Sequence, residues 1–442
     1  MKKLMLTVFA ACAAAAGFAQ WVADESAQTL TDGNFNFKYT LKNGSSSPKT
    51  IELKKPTNKP ASPQVLDTRT IETDTGLRLV AMTDGFSDKN IAELWFADTI
   101  ENLQYFNCTS ATNNLVLPSA LKYIYAQNFK KAKFTGTMVI PSKVTAIEDY
   151  SFEELKITGV DLSQADSLVS IGVYAFKNCN NLTNQTLVLP KNLKTIAAQA
   201  FMSVVRFDSD KNLLSYFSGD ALKIPASVVS IGANAFCNNN FKSFDFSEAT
   251  NLVSVGAEAF GYSASYQQKQ TRNYGPLEGD VDMRPTKVAT MPSGLFKMGN
   301  LVRSLELPDT VTAITGNMFN EGTVRLTNVV LSASLQTVCD SPFSGWANKA
   351  TRGTTAIYWR NCPATIGAKL FGGSPEGNSI TNYLPTKYRA EWKAYAESVG
   401  PNVLTLPADD NSTVGFWTSE RKMAVVWYKA KYPGVPLVLI VK

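Results

Sequence analysis

Leu187-Val188-Leu189-Pro190, followed by Leu193, Ile196 and Ala200-Phe201, is one copy of a phrase that recurs along most of this chain. A second clean copy reads Leu222-Lys223-Ile224-Pro225, Val228, Ile231 and Ala235-Phe236. The closing aromatic returns at Phe129, Phe152, Phe176, Phe201, Phe236, Phe260, Phe296, Phe319, Phe343 and Phe371, mostly at intervals of 23 to 25 residues. Self-similarity at such a period is the mark of a solenoid, because one coil cannot bury its apolar face alone and must stack on its neighbours.

The physics of a single coil follows from spacing. Leu187 and Leu189 lie two apart, so on a strand they face one side while Val188 faces the other. Pro190 ends the strand because it cannot donate to a ladder. Ile196 sends a second apolar side chain inward from the next leg, and small Ala200 beside large Phe201 lets coils interdigitate without voids. Gly follows the Ile-like position in Ile171-Gly172, Ile231-Gly232, Val255-Gly256 and Ile366-Gly367, where a tight bend would favour it. Asn178, Asn180 and Asn181, then Asn238, Asn239 and Asn240, follow the Phe and read as turn residues at a corner. Irregular copies keep the apolar positions: Val160-Asp161-Leu162-Ser163, Phe244-Asp245-Phe246-Ser247 and Val329-Val330-Leu331-Ser332 carry Ser in place of Pro.

This phrase resembles the BspA-like leucine-rich repeats of bacterial surface proteins, common in Bacteroidetes, over roughly residues 91 to 395. The resemblance implies a curved parallel-strand solenoid and an adhesin or other surface binding protein. It carries over no ligand site, since the shared residues are core residues. The expected fold is mainly β: a leucine-rich-repeat solenoid of about ten coils with parallel strands, an N-terminal β cap and a C-terminal cap.

The organisation expected is a leader over residues 1–19, an N-terminal cap and Pro-rich connector over 20–90, the solenoid over 91–371, and a C-terminal cap over 372–442. Lys2 and Lys3, the apolar run from Leu4 to Ala16, and Gly17-Phe18-Ala19 form the three parts of a secretory signal peptide. Acylation at Cys12 is the alternative. Phe9-Ala10-Ala11 is a poor match to a lipoprotein signal, and apolar sequence instead of a polar tether follows Cys12. Beyond the leader no unbroken apolar run reaches the length of a membrane span. In the cap, Phe35, Phe37, Tyr39 and Leu41 alternate with polar residues, and Asn43-Gly44-Ser45-Ser46 leads to Ile51 and Leu53, which predicts a hairpin. At the other end Tyr388, Trp392 and Tyr395 have helical spacing, and Val425, Trp427 and Leu437-Val438-Leu439-Ile440 suggest a closing hairpin.

Composition removes several kinds of chemistry. The chain has no histidine and a net charge of +6; without Lys2 and Lys3 it is +4, too mild and dispersed for nucleic acid. No Ser-His or Cys-His nucleophile pair can form. Cys108, Cys179, Cys237, Cys339 and Cys362 are sparse, odd in number and without a Cys-x-x-Cys, so they read as buried thiols and neither as a disulfide framework nor as a metal site. No cofactor or metal is expected, and the chain is read as no enzyme.

Two regions offer ligand contacts. The outward column of the Leu-x-Leu strands holds Val116, Val139, Asp161, Val188, Lys223, Asp245, Glu306 and Val330, of which Asp161, Lys223, Asp245 and Glu306 are strand-face candidates. An ordinary solvated face is the competing reading of that mixture. The intervals Phe201–Phe236 and Phe260–Phe296 are each over ten residues longer than the rest, and solenoids place insertions on exposed loops. The second carries Tyr262, Tyr266, Lys269, Arg272 and Tyr274, side chains that stack on sugar rings or anchor a protein; a plain surface loop is the alternative. The expected function is that of an exported, non-catalytic, adhesin-like protein at the cell surface or outside the cell. Its partner is expected to be a surface protein or glycan of the host or of another bacterium. The alternatives are a carbohydrate-active β-helix enzyme using carboxylates, for which two suffice, and a structural envelope protein.

Overall fold

A computed structural model describes residues 20–442 except 44–46, 87–89, 180, 183–185, 204–205, 208–212, 215–216, 263–276, 298–300, 320–325, 344–354, 368–369, 371–379, 402, 409–414, 418–422 and 429–442. It is a mainly β, parallel-strand solenoid of about 11 turns with little helix. The chain forms two compact units, one of Met1–Gly219 with Ser230–Asn240 and one of Asp220–Val229 with Phe241–Lys442.

The first unit opens on an antiparallel meander of Val22–Asp24, Thr29–Thr31, Asn36–Asn43 and Lys49–Leu53. Its last pair, with Tyr39 opposite Leu53 and Leu41 opposite Ile51, is the hairpin expected from the alternating aromatics. From Lys49–Leu53 onward pairing is parallel, through Leu77–Met82, Asn102–Leu103, Tyr123–Ile124, Ala146–Ile147, Ser170–Ile171, Thr195–Ile196 and Ser230–Ile231. These short strands carry the Ile of the repeat, not its Leu-x-Leu. In this unit the Leu-x-Leu leg pairs where Thr137–Val139 meets Gly159–Asp161. Leu187 and Leu189 are buried at 5% and 6% while Val188 is 61% exposed, so the alternation persists there without a ladder.

A third set of cross-coil bonds runs at the corner. The amide of Phe152 donates to the carbonyl of Ala175, that of Phe176 to Ala200 and that of Phe201 to Ala235, at 2.7–2.9 Å. This fixes the rings face to face. Phe129, Phe152, Phe176, Phe201 and Phe236 stack in series at centroid separations of 5.6, 5.2, 5.2 and 5.4 Å. The column reaches back beyond the first Phe read from the sequence, through Phe106 to Phe86.

Gly172, Gly232 and Gly367 serve close approach and not a bend. A Cβ on Gly172 would lie 2.6 Å from the Asp149 nitrogen, and one on Gly367 would lie 2.5 Å from the Cys339 carbonyl carbon. The left-handed backbone sits two residues before the Phe, at Gln127, Tyr150, Tyr174, Gln199, Asn234, Glu258, Gly294 and Ser341, with φ between 55° and 65°.

The longer interval after Phe201 holds a short antiparallel pair, Arg206–Phe207 with Leu213–Leu214, and returns Phe217 to the core edge-on to Phe201.

In the second unit both legs form ladders. Thr290–Met291, Ala313–Ile314, Thr337–Val338 and Thr365–Ile366 make one. Glu278–Asp282, Leu301–Glu306, Asn328–Val330, Thr355–Tyr358, Ile380–Pro385 and Met423–Tyr428 make the other, all parallel. The helix Arg389–Val399 follows, with Trp392 fully buried against Trp359. Met423–Tyr428 closes antiparallel on Gly415–Trp417, upstream of it; the expected partner at 437–440 lies outside the described residues.

Candidate functional site

The outward Asp of the irregular copies has a structural task. Asp161 Oδ1 accepts the Ser163 amide at 2.8 Å, Asp245 Oδ1 that of Ser247 at 2.9 Å, and Asp282 Oδ1 that of Arg284 at 3.0 Å. Asp67 does the same for Arg69. Copies with Pro two residues on have no amide there to satisfy, and their outward residue is Val116, Val139, Val188, Lys223 or Glu306. The carboxylate thus replaces Pro as the device that ends the strand. The hydroxyl and amide of Ser247 hold the Asp245 carboxyl below its ordinary value.

Lys223 pairs with Glu248 at 2.6 Å, and that bond raises its pKa. Glu306 lies beside Asp282 in register, and Arg284 joins the two, bidentate to Asp282 and 3.1 Å from Glu306. Burial pushes the Glu306 carboxyl up, against the opposing pull of Arg284. The four strand-face candidates are therefore not gathered into one site. Asp161 and Asp245 cap their own strands, Lys223 pairs with Glu248 close enough to Asp245 for each to shift the other's pKa, and Glu306 joins the Asp282–Arg284 cluster.

Of the insert candidates, Tyr262 is buried at 3% and its amide donates to the Lys297 carbonyl at 2.8 Å, so it belongs to the coil. Tyr266, Lys269, Arg272 and Tyr274 lie outside the described residues.

What sequence reading missed is a cleft of about 600 Å³ in the second unit, lined by Asp220, Lys242, Ser243, Glu278, Gly279, Asp280 and Arg303. Lys242 pairs with Asp220 at 3.0 Å, and Glu278 adds to the field that raises the lysine pKa after Asp220. Ser243 Oγ donates to the Asp220 carbonyl, and Ser304 Oγ to Asp280 Oδ1 at 2.7 Å. A bulge shapes one wall. Gly279 is opposite Val302 but Asp280 is opposite Ser304, which leaves Arg303 as the extra residue. Val302 and Leu305 both point inward, so Arg303 and Ser304 both face out, in the way bulges re-aim side chains. Gly279 has φ +81° at that step. The Thr327 amide and hydroxyl both bond the Arg303 carbonyl and hold its backbone. The guanidinium makes no ion pair among the described residues. Its signal in the sequence was the Glu278-Gly279-Asp280 run just after the long insert, but the register slip that exposes Arg303 needs the neighbouring coil.

Among the described residues no group of three His, Cys, Asp or Glu could hold a metal ion, and no helix is long and apolar enough to cross a membrane. Cys108, Cys179 and Cys237 are buried, and Cys339 and Cys362 are half-buried. Burial pushes the thiols of Cys179 and Cys362 up to about 12.

Three solved structures share features with this chain at low similarity. A leucine-rich repeat protein from Bacteroides ovatus is 17% identical with a TM-score of 0.37, over 89% of this chain and 98% of that one. The pneumococcal vaccine antigen PcpA is 16% identical with a TM-score of 0.40, over 93% and 100%. A leucine rich cell surface protein from Faecalibacterium prausnitzii is 19% identical with a TM-score of 0.30, over 72% and 92%. No curated protein matches the sequence. The BspA type leucine-rich repeat region, in 6 copies, matches residues 98–209 and 210–349. With more than half of its length so matched, and with the Phe column and parallel ladders in place, the chain belongs to the BspA-type leucine-rich repeat family.

Proposed function

We propose that this protein is an exported, non-catalytic, adhesin-like binding protein that presents a rigid repeat surface to a protein or glycan outside the cell or at its surface. The observation that carries this reading is the cleft. Glu278, Asp280 and Arg303 stand on strands locked by parallel pairing, so a ligand meets groups already in place and little conformational entropy is lost on docking. Surface or secreted placement is supported by the family and by the leader-like residues 1–19, with acylation at Cys12 as the lesser route. Residues 20–90 and 372–442 act as caps. The antiparallel strands at 22–53 and the helix Arg389–Val399 support that role, since the ends of a solenoid otherwise expose core and strand edges. Tyr266, Lys269, Arg272 and Tyr274, on the segment that leads into Leu277 and the cleft strand, are proposed as additional ligand contacts.

The test is binding of the purified protein to an array of glycans and extracellular-matrix proteins, beside a variant with 263–276 replaced by a Gly-Ser link. That excision spares buried Tyr262 and Leu277. Binding lost in the variant assigns the ligand to the segment, and binding retained assigns it to the strand face. A blank array for both forms overturns the reading.

A second reading draws on one feature: Asp220, Glu278 and Asp280 share the cleft, and glycoside hydrolysis needs two carboxyl groups. New reducing ends on incubation with a bound glycan would establish it.

A further inference from the structure

The composition of the cleft restricts what can fill it. None of its lining residues is of an apolar type and its surface is more polar than apolar, so a hydrophobic ligand would gain little burial there. A nucleic acid would set a row of phosphates against Asp220, Glu278 and Asp280 with few hydroxyls to donate to them. A basic peptide would face Arg303 and Lys242. The charges are also unequally engaged. Lys242 is occupied by Asp220, and Asp280 accepts from Ser304. The Arg303 guanidinium and the Glu278 carboxylate have no direct partner among the described residues. What remains is one planar cationic fork beside several acceptor oxygens. Carboxylates accept only, and hydroxyls suit them as donors; a guanidinium fork matches a carboxylate in two parallel bonds.

We infer that the cleft is a subsite for an acidic saccharide, its sugar carboxylate held by Arg303 and its hydroxyls donating to Glu278, Asp280 and Asp220. This rests on the binding reading above and names the ligand class for it. The bulge is the structural reason. In a regular strand Arg303 would alternate with Ser304 across the sheet, whereas the extra residue turns both outward and places the guanidinium in the cleft without a carboxylate of its own.

The experiment is calorimetric titration of the purified protein with tri-galacturonate and, as an uncharged comparator, galactotriose. Arg303→Ala, Arg303→Lys and Glu278→Gln are titrated in parallel. Arg303 and Glu278 are exposed, so unchanged thermal melts are expected and separate a binding loss from unfolding. Tri-galacturonate should bind more tightly than galactotriose and lose affinity as salt rises. Arg303→Ala should raise its Kd about ten- to a hundredfold. Arg303→Lys should restore only part of the loss, because the fork is gone, and Glu278→Gln should weaken both sugars. Equal affinity for the two sugars, or an Arg303→Ala variant that binds as the parent does, overturns the inference. So does the absence of tri-galacturonate binding. If the array still shows a ligand in any of those cases, the binding reading stands and its site lies elsewhere; a blank array removes both.

Discussion

Gly232 lies against Ala198 of the preceding coil so closely that a Cβ on the glycine would meet the alanine nitrogen at 2.4 Å. The obstacle is backbone held by the bond from the Gly232 amide to the Ile196 carbonyl, so it cannot swing aside as a side chain would. Gly232→Ala should destabilise the protein by about 1–3 kcal/mol, the usual cost of overpacking, measured by urea unfolding. A change within 0.3 kcal/mol or so, the ordinary scatter of surface substitutions, would show that the coils can spread.

Phe176 is 2% exposed and stacked between Phe152 and Phe201, at 5.2 Å from each. Phe176→Ala should cost about 3–5 kcal/mol, transfer and cavity together. Because each coil contacts mainly its neighbours, hydrogen exchange should rise first near residues 147–201, with the second unit little changed. A uniform rise across the chain would contradict coil-by-coil stability.

Asp161→Ala removes the acceptor of the Ser163 amide and should cost about 1 kcal/mol. Adding Ser163→Pro deletes the orphaned donor and copies the Val-x-Pro arrangement of Val139 and Pro141. The double variant should recover most of the loss in a denaturant melt. Failure to recover would mean that Asp161 acts through something other than that bond.

Asp245 titrates below its ordinary 3.8 in the folded protein because Ser247 bonds its charged form. A depressed carboxyl contributes stability that is present above the unfolded value and is lost as pH falls through the folded one. The stability gap between the parent and Asp245→Asn should therefore be full at neutral pH, begin to shrink near pH 4, and close below it. A gap that is constant with pH would separate the substitution from titration. Glu306 has the opposite sign: burial raises its folded pKa, so its contribution is present below the unfolded value and lost as pH rises through the folded one.

Thiol labelling at pH 8 should be slow on the folded protein. The thiols of Cys179 and Cys362 are pushed up to about 12 by burial, and the reactive thiolate is scarce so far below that value. Unfolding in urea without reductant should expose Cys108, Cys179, Cys237, Cys339 and Cys362 together. Fewer than five labels on those positions would reveal a disulfide.

The coil was legible in the sequence because its core is periodic. Leu187, Leu189, Ile196 and Phe201 sit where spacing places them, and the Phe column follows from one recurring Ala-Phe pair. What depended on the neighbouring coil was not legible. Gly172 and Gly232 looked like bends because the sequence contains their own backbone but not the strand passing beside them. Asp161 and Asp245 read as strand-face ligand candidates because nothing in their order shows that the amide two residues on needs an acceptor. For Arg303 the Glu278-Gly279-Asp280 run was the one signal, and it does not show direction; a one-residue slip against Gly279 and Asp280 sets that.

The left-handed corner also has a use for protein engineering. Gln127, Tyr150, Tyr174, Gln199, Asn234 and Glu258 occupy one backbone station with very different side chains, although glycine would be the least strained choice. The chain tolerates that strain at coil after coil, and rings on successive stations touch, as Tyr150 and Tyr174 do at 4.8 Å. The row is a series of addressable mounts with a spacing set by the backbone, whose occupants can be exchanged one at a time without redesigning the coil that carries them.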